Sequence, residues 1–278
     1  MTDTDKIIKE LKDGYQEEAD LITKEYKGYM IADNVHLYTT YNDVNATTEV
    51  DKYAEFRIIQ VGEHASALKG ATVDGNVLTQ DLMDGSTLTF HAVHSLPTAY
   101  PMNSTDTNEG RWGATELCQK LQEEGEIFNN FPTELTSAIK KVNKAYYMMD
   151  EKKTSNTTQN KFFLLSNLEL VDNNDKYNAS YPASKQEGRA YDFFKTKIET
   201  QGDNDLISSI LKTRSGATPL HLGEHFLNPL EYDPLTGWWL RTVSSTALKI
   251  GFNTVGERGN FSCGSAACAH AVAPAFCF

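Results

Sequence analysis

GWWLRTVSSTALKIGFNTVGERGNFSCGSAACAHAVAPAFCF is the sequence of residues 237–278, and this stretch decides how the rest of the chain is interpreted. Both of its ends are apolar and aromatic, with Trp238 and Trp239 at the start and Phe276 and Phe278 at the close. Mostly small residues lie between them. Because chain ends usually fray unless something holds them, we expect a buried strand at each end and a ligand-binding surface of small residues between the two.

The adjacent tryptophans could pack in the core or stack on sugar rings. Successive side chains of a strand point to opposite faces. We therefore expect one of Trp238 and Trp239 to lie in the core and the other to shield the sheet, so that both have a structural role.

Composition and charge exclude several classes of partner. The chain has 278 residues, is 40% hydrophobic and carries a formal net charge of -12. Such an acidic protein lacks the basic face that nucleic acids and anionic membranes attract. No apolar run approaches the roughly 20 residues of a membrane span, and residues 1–5 do not resemble a signal peptide. We expect synthesis in the cytoplasm, no nucleic-acid partner and no membrane insertion.

The order of apolar patterns along the chain predicts an α+β fold. Residues 5–27 have the spacing of a narrow amphipathic helix, which could pack on the domain or pair with copies of itself. Residues rich in β-branched and aromatic types between 29 and 93 indicate strands. Residues 114–122 and 132–144 have helical spacing.

The second half of the chain alternates between apolar and polar segments. Residues 161–166 are typical of a short buried strand, whereas 150–160 and 171–186 are polar and indicate surface loops. Residues 191–197 favour a helix, and 200–236 are irregular. The terminal segment then returns to strands, which we expect to join the earlier sheet.

One motif suggests a metal site. Residues 221–225 read HLGEH and match the H-x-x-E-H pattern of a group of zinc peptidases. That chemistry needs a helix that turns both imidazoles toward one zinc ion. Gly223 lies inside the motif and Pro229 follows it closely, so we expect a structured loop, no bound metal and no cofactor.

The four cysteines are too few for a disulfide scaffold. We expect small buried side chains at Cys118, Cys263, Cys268 and Cys277. The alternative is a reactive thiol pair made by Cys263 and Cys268, which lie five positions apart in a segment of small residues.

Several segments together resemble a bacterial and phage domain-of-unknown-function family numbered 6273. The resemblance covers about residues 50–278, and its clearest pieces are Trp238-Trp239-Leu240-Arg241-Thr242 and Val272-x-Pro274-Ala275-Phe276. Upstream pieces follow in the same order at 56–62, 88–90, 92–94, 96–99, 102–104, 113–117, 162–166 and 187–194.

The resemblance implies a C-type-lectin-like domain at 29–278, with a mixed or antiparallel sheet, flanking helices and a separate N-terminal helix at 1–28. The fold is shared in outline with phage receptor-binding proteins, with the variable proteins of diversity-generating retroelements and with formylglycine-generating enzymes. It implies that the first and last strands meet, that the C-terminus is buried, and that 243–270 is the ligand-binding segment, with the composition of a hypervariable one. Two departures count against calcium-dependent sugar binding and against full agreement with the family: the calcium motifs of animal lectins are absent, and Ala273 stands where Arg is usual.

These observations favour a non-enzymatic binding protein of a phage or prophage virion, without catalytic residues. Its partners would be a host-surface protein or glycan receptor and other virion proteins, and the 1–28 helix would attach it or make a homo-oligomer. The expected ligand-binding residues are Ser244, Ser245, Ala247, Lys249, Phe252, Arg258, Asn260, Phe261, Ser262, Ser265 and His270. The expected structural residues are Trp238, Trp239, Arg241, Pro274 and Phe276.

Two alternatives remain open. The first is an oxidase of the formylglycine-generating type, in which Cys263 and Cys268 would act. The second is a scaffold of the bacterial cytoplasm that binds another protein through the same fold.

Overall fold

The computed structural model describes residues 36–46, 52–62, 72–73, 76–77, 87–93, 95–148, 155–170, 187–188, 190–191, 193–194, 237–244, 250–255 and 261–278. The predicted helix at 5–27, the HLGEH motif and the loop at 171–186 lie outside these residues.

Strands and short helices alternate along the described chain. The strands are β1 (His36–Thr40), β2 (Tyr53–Gly62), β3 (Thr72–Val73), β4 (Asn76–Val77), β5 (Thr87–Ala92), β6 (Val142–Tyr147), β7 (Ser155–Asn160), β8 (Trp238–Val243), β9 (Gly251–Val255), β10 (Phe261–Ser265) and β11 (Ala275–Cys277). The helices are a 3-10 turn at Trp112–Ala114, α1 (Glu116–Lys120), α2 (Glu126–Asn129), α3 (Thr133–Ala138) and α4 (Asn167–Leu170).

Three sheets organise these strands. Their orders are β1-β2-β5-β11, β10-β9-β8 and β4-β3-β7-β6. The first two are antiparallel, and in the third only the contact between β3 and β7 is parallel. The prediction of an α+β fold is therefore confirmed, as a mixed fold of mostly antiparallel sheets and short helices. Among the described residues no helix reaches seven residues, and none is long and apolar enough to cross a membrane.

Among the described strands, the closing strand β11 lies at one edge of the first sheet, and its side chains are fully buried. Phe276 pairs with Phe90 of β5, and both side chains are fully buried. Phe278 is 2% exposed, so the expected buried C-terminus is confirmed. Of the described terminal strands, only β11 joins the earlier sheet as expected, because β8, β9 and β10 form a sheet of their own. The neighbour of β11 is β5, however, while β1 lies at the opposite edge; the expectation that the first and last strands meet is not met among the described strands.

The strand β2 contains an irregularity that explains two adjacent buried isoleucines. Ile58 pairs with Phe90, but Thr89 pairs with Gln60, so Ile59 is an extra residue in β2. Such a bulge interrupts the regular alternation of side chains between the two faces of the sheet. Ile58 and Ile59 are both fully buried as a result.

Two predicted elements are wrong in the middle of the chain. The helix predicted over 132–144 ends with α3 at Ala138, because Ile139 has an extended backbone and β6 begins at Val142. The predicted surface loop at 150–160 includes β7, which pairs with β6 along its whole length. Residues 162–166 are buried as expected, but their only strand-like contact among described residues is a bridge between Phe163 and Ala275.

Candidate functional site

The strand β8 is buried along its whole length. Trp238 is 3% exposed and Trp239 is 0% exposed, so the expectation that one of them shields an outer face is wrong. The indole of Trp239 donates a hydrogen bond to the carbonyl oxygen of Tyr100 at 2.7 Å, and its ring lies 4.3 Å from that of His270. The ring of Trp238 lies 5.4 Å from that of His91. Since both faces of β8 are covered, both tryptophans are core residues.

Arg241 anchors β8 to three other segments. Its fully buried guanidinium donates hydrogen bonds to the carbonyl oxygens of Ala145 at 2.9 Å, Leu164 at 2.7 Å and Glu187 at 2.6 Å. It also forms an ion pair with Glu169. Each bond fixes the position of β8 against a different part of the chain, which gives Arg241 the structural role expected from the sequence.

Further buried polar groups surround Arg241, and we call the set the Arg241 cluster. Lys144 contacts Glu169 in an ion pair and donates to the hydroxyl of Tyr191 at 3.1 Å. Thr242 donates to the Glu187 carboxylate, which also accepts from the backbone N–H of Tyr147 at 3.0 Å. The members of the cluster are Lys144, Glu169, Glu187, Tyr191, Arg241 and Thr242, and all are fully buried.

Burial favours the neutral forms of two members of the Arg241 cluster, Glu187 and Lys144. It raises the pKa of Glu187 to about 7, against the attraction of Arg241 and the hydrogen bond from Thr242. It also lowers the pKa of Lys144 to about 7, against the attraction of Glu169. Perturbed groups of this kind mark either an active site or a structural ion network. Because every member is sealed from solvent, we assign the cluster to the framework.

Replacing Glu187 with glutamine should remove a pH dependence of stability. The folded state holds the Glu187 proton up to about pH 7, whereas the unfolded state loses it near its ordinary pKa of about 4.3. The contribution of this group is therefore present at low pH and is lost as the pH rises through 7. Urea unfolding should show the stability of wild type falling relative to Glu187→Gln between about pH 4 and 7. A constant difference over that range would contradict the assignment.

Within the described part of the C-terminal segment, the exposed residues lie in β10 and the turn that follows it, residues 261–269, which we call the β10 surface. Phe261, Gly264 and Ser265 are half-buried. The exposed residues are Ser262, Cys263, Ala267, Cys268 and Ala269. The β10 surface is therefore accessible to solvent. Its strand is also held in place, because every residue of β10 pairs with β9.

A loop from the middle of the chain braces the β10 surface. The carboxylate of Asp106 accepts hydrogen bonds from the hydroxyl of Ser265 and, at 3.1 Å, from the backbone N–H of Ala267. These bonds lower the pKa of Asp106, the bond from Ser265 most. Asn103 donates its backbone N–H to the carbonyl of Ala266 at 3.0 Å. The turn after β10 is therefore held at several points.

A model of one protein family matches residues 77–278, which is most of the chain. The protein belongs to the family described as "Domain of unknown function (DUF6273)". No curated protein matches the chain, and no solved structure does either.

The expected ligand-binding residues of this DUF6273 domain divide into three groups. Ser262 is exposed, and Phe261 and Ser265 are half-buried, so all three belong to the β10 surface. The residues that are buried instead, with exposures of 1%, 0% and 4% in this order, are Ser244, Phe252 and His270. The residues that lie outside the described part are Ser245, Ala247, Lys249, Arg258 and Asn260.

The buried group needs a correction. Phe252 contacts the Trp239 ring at 6.5 Å between centroids. The imidazole of His270 lies 4.3 Å from the same ring, and its backbone is bonded to Tyr100. A side chain sealed in this way cannot touch a macromolecule. Ser244, Phe252 and His270 therefore lie beneath the surface of the DUF6273 domain and are not contact residues in this structure.

The cysteines of the DUF6273 domain also divide. Cys118 and Cys277 are 3% and 0% exposed, so the expectation of small buried side chains is confirmed for them. Burial raises the pKa of both thiols to about 12. That expectation is wrong for Cys263 and Cys268, which are exposed and free, because β10 and its turn lie on the surface. No group of three or more His, Cys, Asp or Glu side chains in the described part could hold a metal ion.

Replacing Gly264 with alanine should destabilise the domain. A β-carbon at this position would lie 2.8 Å from the Trp239 ring and would also meet the His270 imidazole. Such overpacking costs about 1–3 kcal/mol. Urea unfolding of Gly264→Ala measures this loss, with Ser262→Ala on the same strand as the control, since Ser262 is exposed. Equal stabilities of the two variants would show that β10 can move away from its support.

The bracing residues Asn103 and Asp106 were not predicted from the sequence. Asn103 lies in one of the short segments that carry the family resemblance, but a short polar segment does not reveal which distant strand it will contact. The bond between Asp106 and Ser265 joins residues 159 positions apart. Nothing in the local pattern of either segment could have indicated it.

Proposed function

We propose that this protein is a non-enzymatic binding protein, a component of a phage or prophage virion that presents the β10 surface to a receptor on the host cell. The observation that carries the proposal is the contrast between the surface and its support. Five small residues of the β10 surface are exposed, while the residues directly beneath, Trp239 and His270, are almost completely buried. Binding residues are commonly placed in this way, on variable segments held by a rigid scaffold.

The proposal includes a C-type-lectin-like fold with a variable segment at 243–270. What supports it is membership of the DUF6273 family, together with a buried closing strand and a framework that does not depend on the exposed side chains. Replacing Ser262, Ala267 or Ala269 removes no hydrogen bond of the Arg241 cluster. A surface of this kind can change its sequence without losing its fold. The 1–28 segment would attach the protein to the particle or make a homo-oligomer, which adds avidity to weak sites.

The test is a charge substitution on the β10 surface. Labelled protein carrying Ser262→Glu, Ala267→Glu and Ala269→Glu should lose binding to host bacteria, since three desolvated carboxylates would face the receptor. The matched control carries Asn129→Glu, Thr133→Glu and Ser137→Glu, which add the same charge at other exposed positions. Circular dichroism checks that both variants fold. Equal cell binding by the two variants would refute the proposal.

One observation favours a second candidate, an oxidase that uses Cys263 and Cys268. All four cysteines of the chain are free, but only Cys263 and Cys268 are exposed, whereas Cys118 and Cys277 are buried. If they act in catalysis, the variant with Cys263→Ser and Cys268→Ser should lose copper- and oxygen-dependent oxidation of a cysteine peptide. Under the first proposal we expect that same variant to keep its binding to host bacteria, whether or not the chain has oxidase activity.

A further inference from the structure

The strand β10 lies at the edge of its sheet. The sheet order is β10-β9-β8, and within the described part of the chain no strand pairs with the outer side of β10. An edge strand presents a row of backbone N–H and C=O groups that can pair with another chain. Besides its small side chains, the β10 surface therefore has a second property: at Cys263 its outer backbone edge is not paired with any described strand.

The hydrogen bonds around β10 show which backbone groups point outward. Ala266 donates its N–H to the carbonyl of Ile250 at 2.8 Å, and Gly264 is paired with Phe252 in the same register. Antiparallel pairs alternate between hydrogen-bonded and non-hydrogen-bonded positions. Cys263 occupies a non-hydrogen-bonded position opposite Asn253, so its N–H and C=O both point away from β9.

The outward groups of Cys263 are available for pairing. No described residue forms a hydrogen bond to its backbone on the outer side, and its side chain is exposed. The edge ends two residues later, because the carbonyl of Ser265 accepts the N–H of Cys268 at 3.0 Å and the chain turns. A pairing segment would therefore be centred on Cys263.

The edge also lacks the features that usually prevent pairing. Proteins protect edge strands with lysine, proline, bulges or a covering element. The five residues of β10 read FSCGS and include neither lysine nor proline, and the register between β9 and β10 is continuous, without a bulge. The small side chains would let another backbone approach closely.

We propose that the edge of β10 binds an extended segment of a partner protein as an added strand. The inference rests on the proposed function and makes it more specific, because it assigns a polypeptide and not a glycan to the β10 surface. Main-chain bonds at Cys263 would provide affinity, and the side chains of the surface would select among partners.

Size and charge argue for a short partner segment over a second copy of this chain. A strand of five residues offers far less than the roughly 1,200 Å² of a stable protein interface. The net charge of -12 repels a second copy, attracts basic segments and does not repel neutral ones. The carboxylate of Asp106, next to Ser265, lies at one end of the edge. The partner is therefore an extended segment of about five residues, uncharged or basic, since that length matches the edge.

The first test uses a synthetic probe and the full chain. The probe is the peptide acetyl-Lys-Thr-Val-Thr-Val-Lys-amide, which is extended, β-prone and basic. It should shift the amide NMR resonances of Cys263 and Ser265 and slow the hydrogen exchange of Cys263. Two control peptides have the same sequence with N-methyl groups on alternate amides, and each lacks the hydrogen-bond donors of one of its two edges. At least one of these two peptides should have no effect on the Cys263 and Ser265 amides. No effect of the unmethylated peptide on these amides would overturn the proposal.

The second test uses a matched pair of variants. Cys263→Pro removes the outward N–H without breaking the bonds to β9, since proline is tolerated where an edge N–H faces solvent. Cys263→Ser keeps the N–H. We expect Cys263→Pro to bind the peptide at least about fivefold more weakly than Cys263→Ser, as the loss of a hydrogen bond predicts. Equal affinities would overturn strand addition.

The outcomes separate this inference from the proposed function. If Cys263→Pro dissociates an oligomer of the wild type, the occupant of the edge is a second copy and the inference is overturned. If cell binding is lost in the three-carboxylate variant but is equal in Cys263→Pro and Cys263→Ser, the proposed function stands and strand addition fails. If cell binding survives in the three-carboxylate variant, the proposed function fails, whatever the peptide result.

Discussion

Replacing Arg241 with methionine should lower the free energy of unfolding by about 3–5 kcal/mol, the cost of breaking a buried ion network from one side. The variant leaves Glu169 without one of its two cationic partners. It also removes the guanidinium donor from the carbonyls of Ala145, Leu164 and Glu187. Methionine fills much of the same volume, so lost charge and lost hydrogen bonds, more than a cavity, account for the effect. Urea unfolding measures it.

A surface ion pair provides the control for Arg241. Lys141 contacts Glu123 at 2.6 Å, with side chains that are 52% and 47% exposed. Lys141→Met removes the same formal charge from a pair in water, where such pairs contribute about 0–1 kcal/mol. If Arg241→Met lost no more stability than Lys141→Met, the buried network would not be what holds β8 in place.

Replacing Phe276 with alanine should destabilise the domain by about 3–5 kcal/mol, as expected for an aromatic side chain deleted from a packed core. Four other phenylalanine rings surround it. Their centroids lie at 4.9 Å for Phe56, 5.2 Å for Phe90, 5.6 Å for Phe162 and 5.3 Å for Phe278. These rings belong to separate segments of the chain, so they cannot all move inward to fill the space. Thermal and urea unfolding both measure the loss.

Two further variants separate the cavity at Phe276 from a general sensitivity to mutation. Phe276→Leu keeps most of the volume and should cost less than the alanine variant. Tyr53→Ala removes an aromatic side chain that is 49% exposed and should change stability little. A loss at Phe276→Ala no greater than that at Tyr53→Ala would show that the core can close around the missing ring.

The sequence predicts the closing strands of the fold well. Phe276 and Phe278 are aromatic residues at the end of a chain, a place where exposed aromatics are rare, and the structure buries both. The strands β2 and β5 also have the β-branched and aromatic composition that predicts them. These elements were predictable because their local composition and their tertiary environment agree.

Other elements depend on contacts that a local pattern does not contain. Residues 132–144 have helical spacing, but the C-terminal part of that segment pairs with β7 as β6. Its Lys144, which would suit a helix end, lies instead in the Arg241 cluster. The prediction for the two tryptophans was wrong for a similar reason. Alternation exposes one of two adjacent side chains only when the strand is covered on one face, and β8 is covered on both.

The candidate site was predicted as a segment, 243–270, and as a set of residues within it. Of the described members of that set, Phe261, Ser262 and Ser265 lie at the surface. The position of 261–269 at the surface agrees with the small residues found there. Burial of Phe252 and His270 could not be anticipated, since a large side chain among small ones suits either a binding contact or a support. The free edge of β10 depends on the order of strands in the sheet, and composition does not determine that order.

The pairing of β11 with β5 has a consequence for how the chain folds. Thr89 and Cys277, whose side chains meet at 3.4 Å, are 188 positions apart. Folding rates fall as contacts become less local, because a long loop must close before its contacts form. The domain should therefore fold slowly, through collapsed states in which β5 still has an open side. Those states expose an apolar strand that invites aggregation. Slower synthesis at low temperature should raise the yield of folded protein by lowering the concentration of these intermediates.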